Sequence, residues 1–442
     1  MSRKNIEKYD LLYDLLRKYV DFWHNNIYYR KVIVYGKENV NYSDHNIFAP
    51  NHQNALMDAM AVLCTTKRQP VFLARADIFR KKFIAKILYF LKILPIYRIR
   101  DGYSNLKQID ETFEETLRVI KHRNGLVILP EGSHAGFRKL RQLKKGICRI
   151  AFMAEEESDF KLDIKIIPVG IEFSHYWLFR QVLTVVYGKP ISVSEYYDEY
   201  RTNQPQALSD LRDRLASEMK KLMVHIEDEE DYEAIDELRS IINGKYSDSF
   251  RFPKLFRDQI LIGRLNKLRD KNNGEYRKIC DEAIKVKQLA ADLHLSYRQL
   301  SKKKNPLHWL LLASLFLVLT LPAFLLGAAL NILIFEIPKL KTKGLKDVMF
   351  TSSLFYGFTL VVSFVLMPLY LALTLIFIKP WWLAITAFLL IPVTGIIAWN
   401  WSLLAKRVIG GFRIRRFARR KDEKFADLKT SYLDLTQRIS KI

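Results

Sequence analysis

A histidine and an aspartate stand together where a predicted strand runs out at Pro50 and a helix is expected to begin. The histidine is His52 and the aspartate, six positions later, is Asp58. At such a junction an imidazole is held by rigid elements while it faces a cleft, and a carboxylate within reach sets its tautomer. The pair is suited to general-base catalysis, in which His52 takes a proton from a hydroxyl and makes it nucleophilic toward a carbonyl. The spacing also fits a capping Asn51 beside a purely structural histidine.

A second segment, Leu126–His134, reads as a hydrophobic strand that delivers Glu131 and Gly132 into a loop. Exposed backbone N–H groups in such a loop bind phosphate, and basic residues follow it closely. These are Lys139, Arg141, Lys144 and Lys145. The loop also contains Ser133, but a serine nucleophile elbow needs glycine two positions before the serine, where Glu131 stands. A serine hydrolase is therefore disfavoured.

Two further segments complete the set. The apolar run that begins at Leu94 ends on Arg98 and Arg100, whose planar guanidinium groups suit bidentate contacts to phosphate oxygens. For either arginine alone, a surface salt bridge is the competing interpretation. The other segment, Ile166–Ile171, carries Pro168 inside a β-like run, which indicates a strand end or edge that shapes a pocket wall.

The elements around these residues alternate between short β-rich runs and helical periods. This alternation predicts an α/β domain in which helices flank a central, mainly parallel sheet. A helical segment and a C-terminal transmembrane helical region are expected to follow. The predicted strands are Lys31–Tyr35, Asn46–Ala49, Val71–Leu73, Leu126–Leu129, Ile164–Ile167 and Leu183–Tyr187.

Composition divides the chain further. The 442 residues carry a formal net charge of +24 and are 49% hydrophobic, with apolar sequence concentrated near the C-terminus. We predict five parts: an N-terminal amphipathic helix (1–30), the α/β domain (31–200), a charged helical region (201–304), a membrane region (305–405) and a basic cytoplasmic tail (406–442). The first helix is expected either to pack on the domain or to lie on the bilayer.

The membrane region contains three uncharged stretches long enough to cross a bilayer. Basic residues lie at the ends of these stretches, except at the Lys379–Trp382 turn, which is poor in positive charge. The positive-inside rule therefore predicts that two transmembrane helices, about 352–378 and 381–403, form a hairpin with cytoplasmic ends. The stretch 306–335 then enters and returns on one side, with a break supplied by Pro322, Gly327 and Asn331. A single crossing of that stretch is the alternative. The basic residues that follow the membrane region favour lipid headgroups over nucleic acid as their partner.

The four motif segments, in this order and at these intervals, together resemble the glycerolipid acyltransferase family, which includes glycerol-3-phosphate and 1-acylglycerol-3-phosphate acyltransferases. The resemblance covers roughly residues 29–192. Most of the family has four residues between the histidine and the aspartate, whereas five separate His52 from Asp58. That spacing, and His134 where most members carry arginine, resemble a branch that includes fungal glycerol-3-phosphate and dihydroxyacetone-phosphate acyltransferases.

The resemblance implies roles for the matching positions. His52 would be the general base and Asp58 its orienting carboxylate. The acceptor's phosphoglycerol would be bound by Arg98, Glu131, Gly132, Ser133 and His134, and Pro168 would line the acyl site. Lys144 and Lys145 are candidates for the phosphates of the thioester donor. The hydroxyl would attack the acyl thioester directly, so no metal and no cofactor besides the co-substrate, acyl-CoA or acyl-ACP, is expected.

The resulting prediction is a membrane-bound O-acyltransferase of phospholipid biosynthesis, with its catalytic domain on the cytoplasmic face. Its partners would be membrane lipids and acyl-CoA or acyl carrier protein, and not nucleic acid. The acceptor would be glycerol-3-phosphate or 1-acylglycerol-3-phosphate, with another lysolipid or an aminolipid as the alternative. A non-enzymatic membrane scaffold or transport component, or a lipid hydrolase, are the rival functions. Cys64, Cys148 and Cys280 are too widely spaced for a disulfide framework or zinc knuckle.

Overall fold

The computed structural model describes residues 5–96, 106–244, 253–300, 306–345 and 347–442, with side chains 106–110 left out. Two compact units are present. The first unit comprises residues 1–225 together with 345–353, and the second comprises 226–344 and 354–442. A short piece of chain that lies far along the sequence, residues 345–353, therefore belongs to the first unit.

A central sheet of eight strands organises the described part of the first unit. The strands are β1 (Lys31–Tyr35), β2 (Asn46–Pro50), β3 (Val71–Arg75), β4 (Ile93–Ile96), β5 (Leu126–Val127), β6 (Lys165–Phe173), β7 (Val182–Tyr187) and β8 (Ile191–Ser192). Their order is β1-β7-β6-β2-β5-β3-β4, and β8 pairs with β6. The run β6-β2-β5-β3-β4 is parallel, whereas β7 and β8 pair antiparallel with β6.

The expected α/β class is confirmed, and each predicted strand is present with modest changes of length. Such fully buried strands read as continuous hydrophobic runs because helices cover both faces of a parallel sheet. Two differences concern the site. Strand β5 stops at Val127, so the chain leaves the sheet earlier than the run to Leu129 indicates. Ile93–Ile96 also forms a strand, β4, which pairs with β3.

Helices of the first unit cover this sheet. They are α1 (Leu11–Phe22), α2 (Leu56–Leu63), α3 (Lys82–Phe90), α4 (Leu106–Lys121), α5 (Gly146–Glu156), α6 (Tyr197–Thr202) and α7 (Gln204–Leu222). The core beneath them joins strand residues such as Ile47 and Ile166 to helix residues such as Phe152 and Leu215, all buried. Cys64 and Cys148 are buried free thiols in this unit.

The ends of the α/β domain differ from the predicted boundaries. Helix α7 packs on the sheet through Leu211, Leu215 and Met219, so the first unit runs to residue 225 and does not end at 200. Its leucine spacing is that of a helix with one buried face, and the many charges occupy the other. Helix α1 also packs on the domain, where the Arg17 guanidinium donates to the carbonyls of Thr66 and Arg68. Its outer face leaves Leu11, Leu12 and Leu15 exposed.

The second unit is helical in its described residues. It contains α8 (Tyr232–Asn243), α9 (Lys254–Lys271), α10 (Asn273–Asp292), α11 (Tyr297–Leu300), α12 (Leu307–Leu319), α13 (Leu321–Thr342), most of α14 (Thr351–Phe377), α15 (Trp381–Arg420) and α16 (Glu423–Ser440). Three helical segments are long and apolar enough, by length and composition, to cross a membrane: Leu321–Thr342, Val348–Phe377 and Trp381–Arg420.

Two details of this unit depart from the sequence interpretation. The apolar stretch 306–335 is interrupted at Thr320, just before Pro322, whereas Gly327 and Asn331 lie inside the unbroken helix α13. In addition, residues 406–442 are not a simple basic tail, because α15 continues to Arg420 and α16 follows. Helix α16 buries Leu428 and Leu435, at a seven-residue spacing that places both on one face.

Candidate active site

The predicted pair of residues meets at the carboxyl end of β2. The Nδ1 atom of His52 lies 2.9 Å from Oδ2 of Asp58, which is fully buried, while the His52 side chain keeps 16% of its surface exposed. A carboxylate can only accept, so Nδ1 carries the proton and the neutral ring presents Nε2 as its basic nitrogen. The imidazole is thus oriented as a base at an accessible edge of the sheet.

Asp58 is held by donors from the loop that it helps to shape. The backbone N–H groups of Gln53 and Asn54 donate to the same Oδ2 atom, at 2.8 and 2.7 Å. Charge-assisted bonds of this kind are stronger than neutral ones. The short distance along the chain, four to six residues, explains why this arrangement is visible in the sequence.

The turn between the two residues is strained. Ala55 has φ 46° and ψ −125°, and the N–H of Met57 donates to the carbonyl of Asn54 at 2.9 Å. These angles resemble the first central position of a type II′ turn, which favours glycine. A side chain in such a region costs on the order of 1–3 kcal/mol and persists only where neighbouring contacts hold it.

The second loop reaches the first through Glu131. This glutamate follows β5, the parallel neighbour of β2, so both loops leave the same edge of the sheet. Its Oε1 accepts the backbone N–H of His52 at 2.7 Å, and its Oε2 accepts both the N–H and Nε of Arg141 at 3.2 Å. Burial raises the pKa of Glu131, and the donors from His52 and Arg141 oppose part of that rise. Glu131 therefore positions His52, and both of its oxygens already accept from the protein.

The rest of this loop places three polar side chains near His52. The ring of His134 packs edge-on against the ring of His52, with centroids 5.5 Å apart. Arg141 donates through Nη1 to Ser133 Oγ at 2.9 Å, while its Nη2 is buried without a hydrogen-bond partner among the described residues. Gly132 has φ +72°, a turn conformation that glycine adopts without strain. Arg141 thus adds a cation to this loop, which also brings the His134 ring against His52.

The other predicted site residues have separate outcomes. Arg98 and Arg100 lie outside the described residues. Lys144 is exposed beside Gly132, where the Lys144 Cγ atom would lie 3.5 Å from an added Cβ. The Nζ of Lys145 instead donates to Ser209 Oγ at 2.6 Å. Lys145 thus contacts α7, and its role toward the thioester donor stays a prediction.

Pro168 is neither at a strand end nor at a sheet edge, which corrects that expectation. It lies within β6, buried and paired with Ala49 of β2. On its other side β8 pairs with residues 165–166 and β7 with 169–173, so Pro168 falls in the gap between two partners. A proline, which has no N–H to donate, is tolerated at such an interruption. Its carbonyl accepts from Gly188 N at 2.8 Å.

Several supporting residues escaped the sequence reasoning. The Asn51 amide forms two bonds to the backbone of Ile171, extending the pairing of β2 with β6 beyond the strand end. Gln53 accepts from the hydroxyl of Tyr176 at 2.6 Å. Their partners lie 120 and 123 residues away along the chain, so no local spacing signals these bonds.

A further set of contacts comes from residues 347–353. Asp347 Oδ2 lies 3.3 Å from His134 Nε2, and the Phe350 ring packs edge-on against His134 at 4.8 Å. Ser352 and Ser353 hydrogen-bond to the loop between His52 and Asp58. No motif in the apolar sequence around these residues signals a role in the site.

The fold and the site together define an α/β domain in which an aspartate-oriented histidine stands beside cationic side chains at the carboxyl edge of a sheet. Such an arrangement can deprotonate a hydroxyl next to a bound anion. Comparison with known proteins places the class. A family model described as Acyltransferase matches residues 31–172, which include His52, Asp58, the Glu131 loop and Pro168.

Two known proteins are similar to parts of this chain. The chain is 24% identical over 157 residues to "Glycerol-3-phosphate O-acyltransferase 1" of Saccharomyces cerevisiae (strain ATCC 204508 / S288c), over 34% of this chain and 20% of the yeast protein. The chain thus aligns with about a fifth of that relative's length. The crystal structure of the 1-acyl-sn-glycerophosphate acyltransferase PlsC from Thermotoga maritima matches with a TM-score of 0.34 and 16% identity, over 47% of this chain and 80% of that one. Residues 31–172 thus match the Acyltransferase family model, and part of the chain is similar to a glycerol-3-phosphate acyltransferase.

Proposed function

We propose that this protein transfers a fatty acyl group from an acyl thioester to the hydroxyl of glycerol-3-phosphate or 1-acylglycerol-3-phosphate. The observation that carries the proposal is the contact of 2.9 Å between His52 Nδ1 and Asp58 Oδ2, on a ring whose other nitrogen is left to act as a base. The Glu131 loop lies against the same residue and supplies the side chains suited to a phosphate.

The chemistry follows from this orientation. His52 Nε2 takes the proton of the acceptor hydroxyl while the hydroxyl oxygen attacks the thioester carbonyl carbon. The carbon–sulfur bond then breaks, and the leaving thiolate takes the proton back from the imidazolium. Asp58 stabilises the imidazolium between these steps, as the carboxylate of a catalytic triad does. No covalent bond to the enzyme forms.

Two side chains, Arg141 and His134, are the acceptor-phosphate ligands in this proposal. Within the described part of the chain, the buried Nη2 of Arg141 has no hydrogen-bond partner, and its Nε and Nη1 are held by Glu131 and Ser133. His134 stands between this arginine's loop and the base, in ring contact with His52. A guanidinium held in place on two sides loses little further freedom when it binds a phosphate oxygen, which favours affinity. Lys144, exposed beside Gly132, remains our candidate for the phosphates of acyl-CoA or of an acyl carrier protein.

The apolar helices bear on where this reaction takes place. We propose that they hold the domain on the cytoplasmic face of a membrane, where lipid substrates and products are concentrated. Each buried CH2 of an acyl chain contributes about 0.8 kcal/mol to membrane affinity, so a product with long chains stays in the bilayer.

The test uses the full chain in membranes, with radiolabelled acyl-CoA and either glycerol-3-phosphate or 1-acylglycerol-3-phosphate. We expect acceptor-dependent formation of labelled lipid, and a fall of about 10²–10⁴-fold in turnover for His52→Ala. His122→Ala is the matched control, because His122 is an exposed histidine that directly follows α4, where its Nδ1 contacts the Arg118 carbonyl. Turnover by His52→Ala close to that of the control would contradict the proposal. Release of free fatty acid without any acceptor would indicate a hydrolase instead.

A further inference from the structure

The first turn of an apolar helix contacts both catalytic loops. Residues 347–353, which we term the helix-entry segment, form a short 3-10 turn at Val348–Phe350 followed by the start of α14. This segment belongs to the first unit although more than 200 residues separate it from the loops that it contacts. Its contacts fall into two groups, one to the loop between His52 and Asp58 and the other to the loop that carries His134.

The first group holds the strained turn. Ser352 Oγ donates to the side-chain carbonyl oxygen of Asn54 at 2.6 Å, and the N–H of Leu56 donates to Ser353 Oγ at 3.1 Å. These are the residues directly before and after Ala55, whose φ of 46° is unfavourable for alanine. Both serines and Asn54 are buried, so water does not compete for the bond between Ser352 and Asn54, whereas the bond from Leu56 is partly buried. The turn that brings Asp58 onto His52 is therefore held on each side by the helix-entry segment.

The second group holds His134. Asp347 accepts at 3.3 Å from His134 Nε2, and Phe350 packs edge-on against the same ring. Asp347 is itself fixed, because its Oδ1 accepts the N–H of Met349 at 2.9 Å. The side chain of Met349 lies against Gly136, where an added Cβ would overlap it. Three residues of the segment thus set the orientation of the His134 loop.

We propose that the helix-entry segment is a third element of the active site, in which Ser352 and Ser353 position the His52–Asp58 pair and Asp347 positions His134 as an acceptor-phosphate ligand. This inference rests on the proposed function. The same residues begin an apolar helix that is long enough to cross a membrane. The serines act on the base and Asp347 acts on the phosphate ligand, which separates their kinetic effects.

The serine arm is tested in the full-length protein with Ser352→Ala combined with Ser353→Ala. We expect kcat to fall about tenfold or more with little change in the acceptor KM, because a small displacement of a base is costly to the rate. Ala55→Gly, added to the double variant, is expected to restore a substantial part of kcat, since glycine adopts the turn without help. Ser363→Ala is the control, a buried serine on α14 that donates to its own helix at Thr359.

Rescue by Ala55→Gly indicates that the serines act through this turn. Because glycine also relieves the strain at Ala55, the thermal midpoint of each variant is measured beside kcat, and a low kcat at an unchanged midpoint indicates positioning and not general destabilisation. An unchanged kcat in the double variant would overturn the serine arm, and so would a low kcat that the glycine does not raise. Should the double variant fail to fold, the single Ser353→Ala variant with and without Ala55→Gly answers the same question.

The Asp347 arm uses a half-exposed residue, which makes a folding defect avoidable. We expect Asp347→Ala to raise the acceptor KM about tenfold while kcat stays within about twofold, and Asp347→Glu to restore part of the affinity. Asp422→Ala is the control, because Asp422 caps α16 through a bond from Phe425 N of the same kind and length. An unchanged or lowered acceptor KM, or a change confined to the thioester KM, would overturn this arm.

The controls also keep the two proposals apart. If the wild-type protein transfers acyl groups and His52→Ala does not, while the serine and Asp347 variants behave as their controls do, only the role of the helix-entry segment is wrong. If His52→Ala remains active, the proposed function itself is wrong.

Discussion

The loops of the candidate site and the interface between helices α13 and α15 achieve close packing in opposite ways. In the loops, buried carboxylates gather donors, as Asp58 does with one ring nitrogen and two backbone N–H groups. Helices α13 and α15 approach closely because Gly327 has no side chain, and a Cβ there would overlap the carbonyl of Thr394. Asn331 adds bonds to the Ile391 carbonyl and the Thr394 hydroxyl.

The difference follows from what each region excludes. Around the site, apolar burial drives the fold and every enclosed charge needs a donor, because an unpaired buried charge is very costly. Along the apolar helices, large side chains such as Leu312, Phe364 and Leu389 point outward. Lipid tails are as apolar as leucine, so helix contact there depends on close approach through small residues. A charge change should therefore harm the first region most, and a volume change the second.

Asp58→Asn should have the largest effect. The amide cannot stabilise an imidazolium as a carboxylate does, so we expect kcat to fall about 10²–10⁴-fold in the acyl-transfer assay. Asp44→Asn is the control, since Asp44 accepts from Asn41 on an exposed turn. If Asp58→Asn were as active as Asp44→Asn, the site region would not depend on its buried charge, and the contrast between the two regions would be wrong.

A buried imidazole beside an amide should behave differently from His52, which lies beside a carboxylate. His24 is fully buried beside the Asn25 amide oxygen, and burial lowers its pKa to about 4 from 6.5. Between these values the unfolded chain binds the proton and the folded protein does not, so stability falls as the pH drops from 6.5 toward 4. The full effect is about 3 kcal/mol.

The measurement is the thermal midpoint of the detergent-solubilised protein across this pH range. We expect His24→Gln to flatten the dependence, since glutamine does not titrate there. An equal slope in both proteins would show that other groups control acid stability.

Gly327→Leu tests the helix interface. The new side chain has to displace the backbone of α15, and overpacking of this kind costs about 1–3 kcal/mol, so the thermal midpoint should fall by several degrees. Gly357→Leu is the matched control, because nothing lies within 4 Å of a Cβ at that position in α14. Equal midpoints for the two variants would remove the argument that small residues permit this contact.

Glu131→Gln should have the smallest effect of the four. Glutamine keeps one acceptor oxygen for His52 N or Arg141, but it loses the second and the charge that faces the guanidinium. We expect kcat/KM to fall about tenfold. Part of this loss should be a higher acceptor KM, because Glu131 no longer holds the Arg141 guanidinium in place. A loss equal to that of Asp58→Asn would mean that Glu131 takes part in the proton transfer itself.

The sequence by itself determined the parts of this protein in which partners lie close along the chain. Only five residues separate His52 from Asp58, and the strands show continuous hydrophobic runs. The apolar helices are recognisable from their length and composition. Local spacing carries this information because the geometry of a short loop or helix follows from a few dihedral angles.

Only the tertiary structure decided how the site is completed. Ser352 reaches Asn54 across 298 positions, Lys145 turns to α7, and Pro168 sits in the interior of β6 where its two partner strands leave a gap. Such contacts follow from the order of strands and the path of the chain, and a long loop can close in many ways at similar entropic cost. The residue types within a short stretch of sequence do not show which distant segments will meet. The contacts of the helix-entry segment with Asn54, Leu56 and His134 therefore became evident only from the fold.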